Sequence, residues 1–198
     1  MPNILIVYGT SYGHTAKVVG RMADVLERQG CSVDVFRGDR LPESFAVGGY
    51  QGFVVAASVI RGKHQRYVAE FVRRHSSELS AMPSCFVSVS GSAQDSPERA
   101  RECAGAFLRQ TSWRPTRVHC ISGAIVYTRY TWPLRLMMKW IIRSHGGPTD
   151  TSRDYELTDW AAVEQAARQL ACAVASVSHP PSPTRPGVRS KLDQYIVV

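Results

Sequence analysis

The segment Ile4-Leu5-Ile6-Val7-Tyr8-Gly9-Thr10-Ser11-Tyr12-Gly13-His14-Thr15 constrains this chain more than any other. Its first five residues are apolar and rich in β-branched side chains, which predicts a buried strand. The run then breaks into small and hydroxylated residues, and a helical pattern follows at once. Strand, polar turn and helix start, in that order, are the geometry of a phosphate site. Backbone N–H groups of the turn and of the helix N-terminus converge on one place, where the helix dipole also favours an anion. Thr10, Ser11 and Thr15 add hydroxyl donors, and Gly13 lets the backbone come close to a ligand.

The kind of phosphate is narrowed by what the turn lacks. A Walker loop needs Gly-Lys-Ser/Thr, and no lysine is present; a dinucleotide fingerprint needs three glycines, and only Gly9 and Gly13 occur, at the wrong spacing. A Thr/Ser-rich turn suits a single phosphate held by neutral donors, as in flavin mononucleotide (FMN). Tyr8, Thr10, Gly13 and Thr15 stand at the spacing of the flavodoxin phosphate loop, which this segment resembles. Val19 replaces the alanine usual one helical turn later, in a packing position. The resemblance implies that Thr10, Ser11, Tyr12, Gly13, His14 and Thr15 bind FMN.

Further on, Val18, Val19, Met22, Val25 and Leu26 mark a helix over 16–28, ended by Gly30. Strands are expected over 32–36, 52–57, 85–89 and 117–122, and helices over 65–75, 97–110 and 159–174. Pro97 suits a first helical turn, and Thr158 or Asp159 an N-cap. The run Gly52-Phe-Val-Val-Ala-Ala57 is apolar throughout, as expected where helices cover both faces of a parallel sheet. This alternation predicts an α/β fold, a flavodoxin-like doubly wound five-stranded parallel sheet of order 2-1-3-4-5, with ligand at the carboxyl ends of the strands. Three segments leave those ends as loops: 10–15, 58–64 and 88–93. The second, with Ser58, Val59, Ile60 and Gly62, and the third, with Ser88, Val89, Ser90 and Gly91, are expected to flank the flavin ring.

The length suits one such domain over 1–175. Pro180, Pro181, Pro183 and Pro186 among Ser, Thr and Arg predict a disordered or extended tail over 176–198. The N-terminus enters a strand almost at once, so no secretory signal is expected. No apolar run reaches membrane-spanning length. Cys31, Cys85, Cys103, Cys120 and Cys172 are odd in number and scattered, which reads as reduced thiols of the cytoplasm and as neither a disulfide frame nor a metal site.

An insertion over 127–147 precedes the last helix. Tyr127, Tyr130 and Trp132 form an aromatic cluster. A short amphipathic helix over 133–143 follows, with Arg135, Lys139 and Arg143 at four-residue spacing on one face. No Asp or Glu occurs between Cys103 and Thr149. Such a helix suits an anionic membrane surface or a carboxylate-bearing substrate. The plain alternative is packing on its own domain or at a homo-oligomer contact. Nucleic acid is not expected, because the basic residues match no nucleic-acid module.

The chain also resembles, nearly end to end to about Ala171, the bacterial menaquinone-dependent protoporphyrinogen IX dehydrogenases, a long-chain flavodoxin-type family with an insertion at this place. The likeness is carried by Ala57-Ser58, Gly62-Lys63-His64, Glu70-Phe71-Val72, Met82-Pro83-Ser84, Phe86, Ser88-Val89, Trp113-Arg114-Pro115 and Gly123-Ala124. It continues through Tyr127, Arg129-Tyr130, Trp132, Gly146-Gly147, Thr149-Asp150-Thr151 and Thr158-Asp159-Trp160. Residues 90–98 depart from the family. The resemblance implies oxidation of protoporphyrinogen IX to protoporphyrin IX through FMN, in haem biosynthesis. It also implies that electrons pass to a respiratory quinone, menaquinone or ubiquinone, at the cytoplasmic face of the inner membrane. It adds Thr149, Asp150 and Thr151 as cofactor contacts, and Tyr127, Arg129, Tyr130, Trp132, Arg135, Lys139 and Arg143 as substrate or membrane contacts. His14, His64 and His145 lie near the expected site, and none is assigned as the base. The alternatives are a flavodoxin-like electron carrier or another FMN-dependent quinone reductase. A net charge of +8 disfavours a carrier that docks on basic partners.

Overall fold

The apolar run after Pro2 becomes strand β1 (Asn3–Gly9), buried from Ile4 onward. The computed structural model describes residues 1–42, 44–93, 96–144 and 147–177, apart from the side chains of Ser92 and Ile141. In chain order, helix α1 (His14–Arg28), β2 (Ser32–Arg37), β3 (Gly52–Ile60), β4 (Lys63–His64), α2 (Arg66–Arg74) and α3 (Ser76–Ala81) follow. The second half holds β5 (Ser84–Ser90), α4 (Pro97–Thr111), β6 (Arg117–Ser122), β7 (Ala124–Ile125), α5 (Trp132–Ser144), β8 (Tyr155–Glu156) and α6 (Trp160–Ser176).

Five parallel strands run in the order β2-β1-β3-β5-β6, the expected 2-1-3-4-5 arrangement. Ile6 of β1 lies opposite Val35 and Val54. Because side chains alternate along a strand, the two faces of the sheet form two cores. Ile4, Ile6, Tyr8, Val54 and Val87 pack with Met22 and Leu26 of α1 and Leu170 of α6. Leu5, Val7, Phe53, Val55 and Phe86 pack with Val68 and Val72 of α2 and Phe107 of α4.

The structure departs from the sequence reading in several places. Residues 58–64 are not a plain loop: β3 runs on to Ile60 and pairs antiparallel with β4, Val59 opposite His64. Arg61 and Gly62, at φ 51° and 77°, close a two-residue hairpin turn that needs positive φ at both central positions. Helix α3 follows α2 as a separate short element. The insertion, for its part, is framed by an antiparallel ribbon in which Ala124 faces Glu156 and Ile125 faces Tyr155. Asp159 is the N-cap of α6, its Oδ1 accepting from the Ala162 N–H at 3.0 Å. The tail expected over 176–198 lies, beyond Val177, outside the described residues, as do His145 and Gly146.

Phe86 ties β5 to its helical layer. Its ring stacks on Phe107 at 4.6 Å and meets Trp113 edge-on at 5.7 Å. Phe86→Ala is expected to cost about 3–5 kcal/mol of stability, measured by urea unfolding, because the aromatic cluster cannot close over the void.

Candidate functional site

The site starts where β1 ends. A Cβ on Gly9 would come within 2.6 Å of Val68 Cγ2, so the chain passes α2 here with no room for a side chain. The turn is then closed by its own groups. Thr10 Oγ1 accepts from the Gly13 N–H at 2.9 Å, and Gly13 sits at φ 88° as the residue that caps α1. The first turn of α1 carries no acid of its own to offset the positive end of the helix. Thr15 is 0% exposed and its hydroxyl has no protein partner. A buried hydroxyl left so costs about 1–3 kcal/mol. An anionic oxygen at this N-terminus would satisfy it.

His14 does not turn toward the ligand side. The Thr158 hydroxyl donates to the Ser122 carbonyl at 2.8 Å, so its oxygen accepts from His14 Nε2–H at 2.6 Å. This fixes the imidazole tautomer. Burial pushes its pKa below the ordinary value, against the pull of Glu156 and with help from Lys17. What His14 offers the turn is its backbone N–H, unpaired within the helix.

Two residues that the sequence reading passed over hold the turn to its neighbours. Tyr67 of α2 accepts from the Thr10 N–H at 3.2 Å. Gln65 Nε2 donates to Ser11 Oγ at 3.1 Å and to Ser58 Oγ at 2.5 Å, joining the turn after β1 to the β3–β4 hairpin. Its only sequence signal is its place just before an amphipathic helix. At the hairpin, Ile60 stays exposed and Val59 half-buried, and Gly62 marks the tip.

The third segment is corrected in part. Strand β5 continues to Ser90, so Ser88 and Val89 are strand residues with buried side chains. Ser88 Oγ bonds His64 Nε2 at 2.9 Å, and Val89 lies in the core. Ser90 is buried and its carbonyl accepts from the Gly123 N–H at 3.0 Å. Gly91 opens a 3₁₀ turn at the sheet edge, where an added Cβ would meet nothing.

The insertion is also corrected. Tyr127, expected as a substrate or membrane contact, is 0% exposed and turned into the domain: its hydroxyl donates to the Pro148 carbonyl at 2.9 Å and its ring packs edge-on to Tyr130 and Tyr155. Arg135 Nη2 donates to the Tyr130 carbonyl at 3.2 Å and the Thr128 carbonyl at 3.5 Å, so it caps the preceding 3₁₀ turn and does not reach outward. Lys139 is half-buried and helps to hold the Asp150 carboxyl below its ordinary range, behind the larger effect of hydrogen bonds from Ser152. Asp150 is engaged within its own loop, accepting from Ser152 and pairing with Arg153 at 3.3 Å; Thr149 and Thr151 flank it, half-buried. Arg143 is exposed. The outward row of α5 is apolar: Trp132 is 73% exposed, Leu136 56%, Met137 46% and Trp140 72%. At the other end of the insertion, Tyr130 meets the Tyr12 ring edge-on at 5.2 Å, and Arg129 Nη1 donates to the Tyr12 carbonyl at 3.0 Å.

An open helix N-terminus and a buried, unpartnered hydroxyl meet at the carboxyl edge of a flavodoxin-type sheet, where open α/β folds take their ligands. Comparison with known proteins agrees. A family model described as flavodoxin domain matches residues 5–152, which implies a flavin cofactor. Solved structures with the same fold include a flavodoxin from the domain Archaea, at 13% identity and TM-score 0.51 over 87% of this chain and 99% of that one. A Streptococcus pneumonia TIGR4 flavodoxin matches at 14% and 0.54, over 88% and 98%. Among curated relatives, protoporphyrinogen IX dehydrogenase (quinone) of Escherichia coli K12 is 35% identical over 84% of this chain and 93% of its own length. The protein of that name from Leishmania major is 32% identical, over 92% and 79%. The chain belongs to the flavodoxin-domain family, in the branch of these dehydrogenases.

His64 gives the site a pH signature. Packed against Phe107 at 4.9 Å and Phe86 at 5.3 Å, it is lowered by burial from 6.5 to about 4. Folding therefore favours the neutral ring. That contribution is complete above pH 6.5 and is lost as pH falls toward 4, on the order of 2–3 kcal/mol. Between pH 7 and 4.5, wild type should lose about that much more stability than His64→Asn in urea unfolding. Parallel losses would show that the ring titrates normally.

Proposed function

We propose that this protein binds FMN and oxidises protoporphyrinogen IX, passing the electrons to a respiratory quinone while resting on an anionic membrane at the cytoplasmic face of the inner membrane. The observation that carries the reading is the phosphate turn with its unpartnered Thr15 hydroxyl, in a chain 35% identical to a dehydrogenase of that name. When bound, FMN supplies the two-electron chemistry.

The chain's own residues do the rest. Thr10, Ser11, Gly13 and Thr15 hold the phosphate with neutral donors and the helix dipole. The β3–β4 hairpin and the Ser90-Gly91 edge flank the ring, with Ile60 excluding water on one side. Gln65 fixes the hairpin relative to the turn, so phosphate and ring are oriented as one unit. His64 is held neutral and bonded to Ser88, which orders the hairpin without adding charge beside the ring. Lys139 and Arg143 lie on the substrate and membrane side of α5, where they meet propionates or lipid phosphates.

The exposed apolar row of α5 supports the membrane half of the reading. Among the described residues no helix is long and apolar enough to cross a membrane. Trp132, Leu136 and Trp140 recur at four-residue spacing, so they form one ridge, and tryptophan favours the membrane–water interface. The surrounding segment has no acid, which removes repulsion from anionic headgroups.

Three measurements test this. The flavin released on denaturation should be FMN, and Thr15→Val should weaken FMN by about 1–3 kcal/mol; recovery of FAD would contradict the cofactor. Trp132→Ser with Trp140→Ser should lower binding to phosphatidylglycerol vesicles about tenfold or more, with FMN content unchanged. Unchanged vesicle binding with a loss of dimer mass would assign the ridge to a homo-oligomer contact. In vesicles carrying menaquinone, protoporphyrinogen IX should yield fluorescent porphyrin at a rate that the same double variant lowers. Porphyrin formation that ignores the quinone would contradict the acceptor.

A further inference from the structure

We propose that Arg129 supplies the positive charge for the cofactor phosphate, so that the insertion completes the phosphate site. The inference rests on the FMN reading above. A phosphate monoester bound by neutral hydroxyls and amides alone keeps most of its charge unbalanced, and residues 10–15 contribute no lysine or arginine. The helix that begins there does not repair this. Lys17 pairs with Glu156 at 3.5 Å, and His14 is buried and engaged with Thr158. At the end of β2, Arg37 pairs with Asp39 at 2.8 Å.

Arg129 comes from far along the sequence and arrives at the turn itself. Its Nη1 donates to the Tyr12 carbonyl and lies 3.5 Å from where a Cβ on Gly13 would stand, beside the residue that opens α1. Its approach is fixed from both sides: Tyr127 before it is buried, and Tyr130 after it packs on the Tyr12 ring. Arg129 itself is exposed, which leaves the guanidinium room to reach an anion bound in the turn. Guanidinium carries five N–H donors in a fixed fork that matches phosphate oxygens, so one bond to a carbonyl leaves donors for the ligand. The sequence conceals this role, because residues 12 and 129 meet only through the folded insertion.

Riboflavin, which has the ring and ribityl chain without the phosphate, separates the possibilities. Flavin-stripped full-length protein is titrated with FMN and with riboflavin by flavin fluorescence. Wild type should bind FMN tighter than riboflavin, and added salt should narrow that gap. Arg129→Gln should weaken FMN about tenfold to a hundredfold, the range for a lost charged hydrogen bond, with riboflavin unchanged. Arg129→Lys should recover part of the loss, as a point charge without the fork. Equal weakening of both ligands by Arg129→Gln would make Arg129 a clamp on the Tyr12 backbone and overturn the proposal, as would no change in either. If wild type itself shows no preference for FMN, the phosphate reading falls first, and the assignment of Arg129 with it.

Discussion

Everything at this site depends on β1 being buried on both faces. Its alternating side chains lock into two separate cores, so its carboxyl end cannot shift relative to the sheet. The chain leaves that fixed point through Gly9 and, after a short turn, begins α1. The helix therefore opens at a set place on the sheet edge, where the N–H groups of His14 and Thr15 have no partner within the helix. No first-turn acid neutralises them, and the Thr15 hydroxyl is buried among them without a partner. A site of this kind is preorganised: the donors are held by packing before any ligand arrives, so little ordering remains to be done on binding.

Around that edge the remaining elements differ in how they are attached. The β3–β4 hairpin is tied down by polar bonds, through Gln65 to the turn and through His64 to Ser88. The insertion is tied down by aromatic packing and carbonyl capping, through Tyr127, Tyr130 and Arg135. Its inner end thus reaches the turn after β1, through Arg129 and Tyr130 on Tyr12, while its outer helix shows a tryptophan ridge to solvent. A large exposed apolar ridge marks a surface that meets another phase or partner. In the function proposed above, that phase is a lipid surface that holds the quinone.

The sheet was legible in the sequence because its strands are short apolar runs separated by helix-period segments, and both signals are local. The strand–turn–helix around Tyr8, Thr10, Gly13 and Thr15 was legible for the same reason, since those residues are close neighbours. What escaped was non-local or unusual in backbone. Arg61 at positive φ gives no compositional hint, so the hairpin read as a loop. Gln65 and Tyr67 act across the sheet edge, on residues more than fifty positions earlier or on a hairpin not yet recognised. Arg135 kept its place in a basic row by spacing alone, but spacing cannot tell that its guanidinium caps carbonyls behind it. Tyr127 counted as interfacial because it is aromatic, yet a buried hydroxyl with a carbonyl partner satisfies the same chemistry inside the domain.

The central claim is that one flavin, seated at this edge, takes electrons from a porphyrinogen and gives them to a quinone. Anaerobic stopped-flow mixing of the purified flavoprotein with protoporphyrinogen IX tests it directly. The account predicts that the flavin absorbance bleaches as porphyrin fluorescence rises, and that the colour returns when a quinone is added. Bleaching by a reduced nicotinamide but not by protoporphyrinogen IX, or a bleached flavin that no quinone reoxidises, would contradict it.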